Sequence, residues 1–172
     1  MSDAELFDPK KLDDRDYLAA LEELVDRDGG LSSIDPTSFA KLVKRTSDGQ
    51  LRALEQSPLL EPVVESIFTQ MGNYFRPESI KSDKESTIRW VITGTEDDLV
   101  HETTVSAEGC TVTEGAQSSN PRATLTLSGS NFLKLASGNA SPPMMFMKRK
   151  LKLSGDVGFA TALPKLFDIP KA

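Results

Sequence analysis

The sequence predicts an α+β fold in which helices come first and a five-stranded, mostly antiparallel sheet flanked by further helices follows. Apolar residues recur at helical spacing as far as Phe75. From Ile88 onward they alternate singly with polar ones, the period of a half-buried strand. Between the later strands the helical spacing returns in short pieces, each bounded by Gly or Pro.

Tyr17, Leu18, Leu21, Leu24 and Val25 define the apolar face of a first helix with Gly29 as its stop. Asp35-Pro36 is a capping residue followed by a first-turn proline, and opens a second helix with Phe39, Leu42 and Val43 on one side. A short third helix through Leu51 and Leu54 runs to Ser57-Pro58. Pro62 then opens a fourth, whose residues Val63, Val64, Ile67, Phe68, Met71, Tyr74 and Phe75 form a broad stripe that predicts heavy burial. Ile88, Trp90 and Ile92 make the first strand, and Gly94 to Asp98 supplies turn chemistry before a second from Leu99 to Val105. A third strand runs through Cys110 and Val112, and a fourth carries Ala123, Leu125 and Leu127. Short connections predict that these four pair antiparallel with their neighbours, because parallel neighbours need long crossovers. A helix with Phe132, Leu133 and Leu135 stops at Gly138. Pro142-Pro143 starts one or two turns over Met144 to Met147, and Leu151 and Leu153 share a face of the fifth strand. The last helix carries Val157, Phe159, Ala160, Leu163, Leu166 and Phe167, with a kink or restart expected at Pro164.

The 172 residues suffice for one buried domain with a helical extension, and no apolar run approaches the roughly 20 residues that span a bilayer. The acidic start Met1-Ser-Asp-Ala-Glu lacks a following apolar region, and Cys110 is the sole cysteine, so a reducing cytoplasmic address is expected. The net charge of −6 is unevenly spread: Pro121 to Ala172 has 8 basic and 2 acidic residues. Such a patch attracts phosphate or an anionic surface, although lysines on an edge strand also serve to discourage aggregation. Nucleic-acid binding is not expected, since the basic strands lack exposed interleaved aromatics and the pI is about 4.9.

Enzymatic motifs are missing. His101 is the only histidine and stands in strand parity without a partner that would make it an acid or base. There is no Gly-rich phosphate loop, nucleophile elbow or zinc-protease motif, and no cofactor or metal is expected. Glu96-Asp97-Asp98 reads as a solvated turn.

The stretch Leu125 to Asn139, followed by Met145 to Phe167, resembles the C-terminal half of the sterol carrier protein type two family. The resemblance rests on the order of parts: a strand, a helix ending at Gly138, an apolar turn ending in Phe146-Met147, a Lys-Leu-Lys-Leu strand, Gly155-Asp156 and a helix closing on Leu166-Phe167. It covers roughly Leu60 to Pro170, leaving residues 1–57 as a helical extension and 58–172 as the domain. Where the family often has a small residue plus Gly after the apolar turn, this chain has Lys148-Arg149. It also lacks the S-K-L type address of some members at its end.

The resemblance implies an apolar tunnel for acyl chains, acyl-CoA, sterols or phospholipids. Its lining would come from Trp90, Ile92, Leu125, Leu127, Leu151 and Leu153 on the strands, from Phe132 and Leu135, from Met144, Met145, Phe146 and Met147 in the turn, and from Phe159, Leu163 and Phe167. Methionines suit such a lining, although a Met-rich stretch by itself is more often ordinary core. Lys148, Arg149, Lys150 and Lys152 would rim the entrance, a complement to an acyl ligand charged at one end more than to a sterol. The expected function is therefore non-enzymatic binding or transfer of lipid, most of all fatty acyl chains or fatty acyl-CoA. The other reading is a ligand-free protein-interaction or dimerisation domain. Transient membrane contact and a homodimer are further partner expectations.

Overall fold

The computed structural model describes residues 6–27, 30–80, 84–94 and 97–169. The expected helix stop at Gly29, Glu96 of the acidic turn, and both chain ends lie outside the described residues.

Side-chain caps set the helix starts. Asp13 accepts from Asp16 N at 2.8 Å and opens α1 (Asp14–Asp26), which buries Tyr17, Leu21 and Leu24. Asp35 caps α2 (Pro36–Arg45) by accepting from Ser38 N, and Pro36 sits where a helix has no N–H to lose. A reciprocal Ser47–Gln50 capping box opens α3 (Asp48–Glu55), and Gln50 also donates to Pro9 O and Leu12 O, tying down the chain before α1. Helix α4 (Leu60–Met71) begins two residues before Pro62, so the proline falls among the unpaired donors of the first turn.

The sheet comprises β1 (Ser86–Thr93), β2 (Leu99–Ser106), β3 (Gly109–Glu114), β4 (Ala123–Ser128) and β5 (Leu151–Gly155), in the spatial order β3-β2-β1-β4-β5. Pairing is antiparallel except between β1 and β4, which run parallel with Trp90 opposite Leu125. The expectation that β4 pairs antiparallel with its neighbour in sequence is thus corrected. The chain after β3 crosses the outer face of the sheet instead, and a buried ion pair holds it there. Arg89 and Glu102, opposite each other on that face at 2.8 Å, bind Ser118: Arg89 donates to its carbonyl and Glu102 accepts from its N–H at 2.8 Å. Glu102 is only 2 % exposed, and removing either partner would leave a costly unpaired charge.

The inner face carries Ile88, Trp90, Ile92, Thr103, Val105, Ala123, Leu125, Leu127 and Leu151, all buried. Over it lie α4, α5 (Gly129–Ala136), α6 (Pro142–Met147) and α7 (Val157–Thr161). Helix α7 stops at Thr161 and the chain restarts as a tight turn over Leu163–Lys165, the interruption expected at Pro164. Gly129 is required by close approach: a Cβ there would lie 2.6 Å from Leu60 Cδ1. One apolar core extends from Tyr17 to Phe167, with α2 and α3 packed on α5. Polar contacts stitch the same seam, from Asn139 Nδ2 to Ala40 O at 3.0 Å and from Ser130 N to Glu55 Oε1 at 2.7 Å.

Candidate functional site

Four aromatic rings form a rigid block on the inner face. Phe68 of α4 stacks on His101 at 4.3 Å and on Phe132 of α5 at 5.1 Å, while Trp90 meets both phenylalanines edge-on at 6.0 and 5.7 Å. Trp90 Nε1 donates to Thr103 Oγ1, which in turn donates to Met71 Sδ at 3.2 Å, so the indole cannot swing. Rings locked in this way do not collapse into neighbouring space.

Beside the block lies an apolar cavity of about 130 Å³. Trp90, Phe132, Leu135 and Ala136 form its floor, Ile67 and Met71 one side, and Leu163, Pro164, Phe167 and Ile169 another. Leu31, Ile34, Pro36 and Phe39 close it from the N-terminal segment. Its few polar side chains already have partners. Ser66 donates to Pro62 O, Tyr74 donates to Gln70 Oε1, and Asp168 is paired with Arg76 at 2.7 Å. Burial raises the pKa of the Tyr74 phenol, keeping it neutral. The wall presents carbon to any guest.

Adjoining the cavity is a wider groove of about 830 Å³, with Arg76, Lys134, Lys148 and Lys150 among its residues together with Met144 and Met145. Leu135, Pro164, Phe167 and Ile169 border both spaces. The partition is the C-terminal segment, strapped to the chain just after α4 by backbone bonds from Arg76 N to Leu166 O and from Asp168 N to Tyr74 O, each 2.7 Å. Arg76 is held by Asp168 and Lys134 by Asp48 at 3.1 Å. Lys148 and Lys150 carry no ion pair among the described residues.

The structure therefore brings Trp90, Phe132, Leu135, Leu163 and Phe167 together on the cavity wall, and Met144, Met145, Lys148 and Lys150 onto the groove. Ile92, Leu125, Leu127 and Leu151 lie in solid core. Leu153 is half-buried, and so is Phe159, whose ring lies under the Arg122 guanidinium at 4.0 Å. Phe146, Met147, Arg149 and Lys152 are exposed and border neither space. Not singled out in the sequence were Leu31, Ile34, Pro36 and Phe39 as wall residues, nor Arg76 and Lys134. The breadth of the α4 stripe was the available signal, since Ile67 and Met71 exceed what one buried face needs.

Other reactive groups are quiet. His101 is buried, its Nδ1 has no hydrogen-bond partner, and burial lowers its pKa against the opposing pull of Glu114, Glu65 and Glu61. Those glutamates form an exposed acidic cluster. Burial pushes the Cys110 thiol up to about 11, away from thiolate chemistry.

A five-stranded sheet with a helix-covered apolar hollow on one face defines the class as an α+β domain. The family model described as the SCP-2 sterol transfer family matches residues 74–168, more than half of the chain, and the protein belongs to that lipid-binding and transfer family. The structure of the stereoselective inverting sec-alkylsulfatase Pisa1 from Pseudomonas sp. is similar over 90% of this chain, with a TM-score of 0.54 and 16% identity. This chain spans only 28% of that enzyme. Sterol Carrier Protein 2 from Yarrowia lipolytica in its apo form matches 63% of this chain and 87% of its own, at 24% identity and TM-score 0.44. Palmitated SCP2L2 from Aedes aegypti matches 64% of this chain and 95% of its own, at 17% identity and TM-score 0.48. The chain matches no curated protein sequence. No helix among the described residues is long and apolar enough to cross a membrane.

Proposed function

We propose that the protein is a non-enzymatic carrier of fatty acyl chains or fatty acyl-CoA, with hydrocarbon in the cavity and the charged end in the groove. The observation that carries the reading is the shared wall: Leu135, Pro164, Phe167 and Ile169 separate carbon-lined space from cationic space by the thickness of one strap. A sterol hydroxyl has no use for the cations, whereas a carboxylate or phosphate gains charge-assisted hydrogen bonds from Lys148 and Lys150.

Size sets how such a ligand would sit. At about 130 Å³ the cavity resembles an apolar hole that admits benzene, and falls short of the few hundred Å³ of a drug-sized site. A long chain therefore requires the strap to shift, merging cavity and groove. The same volume left unfilled forgoes about 3 kcal/mol of packing, at about 24 cal/mol per Å³. Each methylene buried would contribute about 0.8 kcal/mol.

Native mass spectrometry and thermal shift with palmitate, palmitoyl-CoA and cholesterol test the proposal. Palmitate and palmitoyl-CoA should raise the melting temperature by linkage. Lys148→Glu with Lys150→Glu should cut charged-ligand affinity about a hundredfold, two lost charge-assisted contacts at about 1.5 kcal/mol each, and leave cholesterol unchanged. Equal losses for both ligand classes would contradict it. The small cavity also favours a second reading, a ligand-free interaction or dimerisation domain. Purified protein without co-extracting lipid, migrating as a dimer, would support that one.

A further inference from the structure

Helix α6 concentrates exposed apolar side chains on the described surface. Met145 is buried and anchors it, but Met144, Phe146 and Met147 are 50%, 43% and 76% exposed. These three are among the few large apolar side chains on the described surface, and they fall within four residues. Immediately after them come Lys148, Arg149 and Lys150, all exposed and without ion pairs among the described residues.

The turn that carries the cations is conformationally costly. Arg149 has φ 59°, and is the one non-glycine with positive φ among the described residues. Six glycines take up the remaining positive φ values. The turn closes by bonds from Arg149 N to Phe146 O and from Lys150 N to Met145 O at 2.8 Å, the usual setting for glycine at a helix end. An arginine there pays for a charge in backbone strain.

We propose that the α6 tip is a docking site for an anionic lipid bilayer: Met144, Phe146 and Met147 insert among the acyl chains at the interface, and Lys148, Arg149 and Lys150 bind the headgroup phosphates. Charge complementarity selects this occupant. A protein groove for the apolar side chains would also need acidic residues around it, whereas a phosphatidylserine surface provides both phases at once. The site is also placed for use, since Met144, Lys148 and Lys150 belong to the groove, so docking presents the groove mouth to the membrane. Docking does not depend on the carrier reading. Palmitate binding in solution measures that separately.

Cosedimentation with phosphatidylcholine vesicles, with and without phosphatidylserine, tests the proposal. Binding is expected only with phosphatidylserine and should weaken as salt rises. Met147→Asp should abolish it without loss of palmitate binding, because Met147 borders neither internal space. Arg149→Gly is the sharper variant: it should raise the melting temperature, since glycine accepts this φ freely, while weakening vesicle binding about fivefold through the lost charge. No binding to phosphatidylserine vesicles would overturn docking even if palmitate binds. So would an Arg149→Gly variant that binds vesicles as tightly as the parent, or an exposed tip engaged only in concentration-dependent self-association.

Discussion

Leu125 and Trp90 lie side by side on neighbouring strands, in register and on the same face of the sheet, yet their surroundings end differently. Around Leu125 the face is closed: Leu125 and Ile92 are 0% exposed, and Leu127 and Leu151 3% and 2%. Around Trp90 the rings of Phe68 and Phe132 fix one another, and a hollow persists between them, α4 and the C-terminal strap. Branched aliphatic side chains have rotamers enough to interdigitate, whereas mutually locked rings hold their outline and prop the space beside them. An alternating apolar pattern thus becomes core or cavity according to the shape of what faces it.

The strongest way to break this contrast is to hollow out the closed side. Leu125→Ala should lower unfolding free energy by about 2–5 kcal/mol, against about 1 kcal/mol for Ile67→Ala on a wall already partly open. Urea denaturation of the two variants would show it, and equal losses would mean that the two regions are packed alike. Filling the open side comes next. Ala136→Phe places a ring into the cavity and should reduce palmitate affinity about tenfold or more, at a stability change of about 1 kcal/mol or less if the space is free. A large destabilisation with unchanged affinity would show that the hollow is not where ligand goes.

The smallest effect concerns the edge of the aromatic block. His101 has its pKa lowered by burial from the usual 6.5, so the folded state resists a proton that the unfolded chain accepts. Its contribution is intact above pH 6.5 and is lost as the pH falls below it. The melting temperature should decline over that window, and His101→Phe, which keeps the stack on Phe68, should flatten the decline. The lowered carboxylates Asp8, Asp35, Asp48 and Asp156 act in a more acidic range, below the ordinary 3.8.

Much of the architecture is local in origin and therefore legible. Asp35-Pro36, Ser47 with Gln50, and Pro164 mark helix boundaries through hydrogen bonds spanning three or four residues. The parity of Ile88, Trp90 and Ile92 marks the inner face because side chains on a strand alternate. The place of β4 was not legible, because it depends on the Arg89–Glu102 pair capturing Ser118 across the outer face. Arg76 and Lys134 escaped notice as groove residues because 58 positions and several elements separate them in the chain. Which N-terminal residues form a wall, namely Leu31, Ile34, Pro36 and Phe39, was illegible for the same reason.

Sequence alone determined most of the helical and strand segments, the inner-face parity of the first strand, the family resemblance and the cationic run after the methionines, since all of these reside in spacing and in residue type. Tertiary structure decided which apolar residues close on one another and which leave a hollow. It also decided that the hollow abuts a cationic groove across a single strap, and that Met144, Phe146 and Met147 face outward while Met145 faces in. The physical reason is that hydrophobic burial is non-directional, so an apolar pattern says that a side chain leaves water but not what it meets.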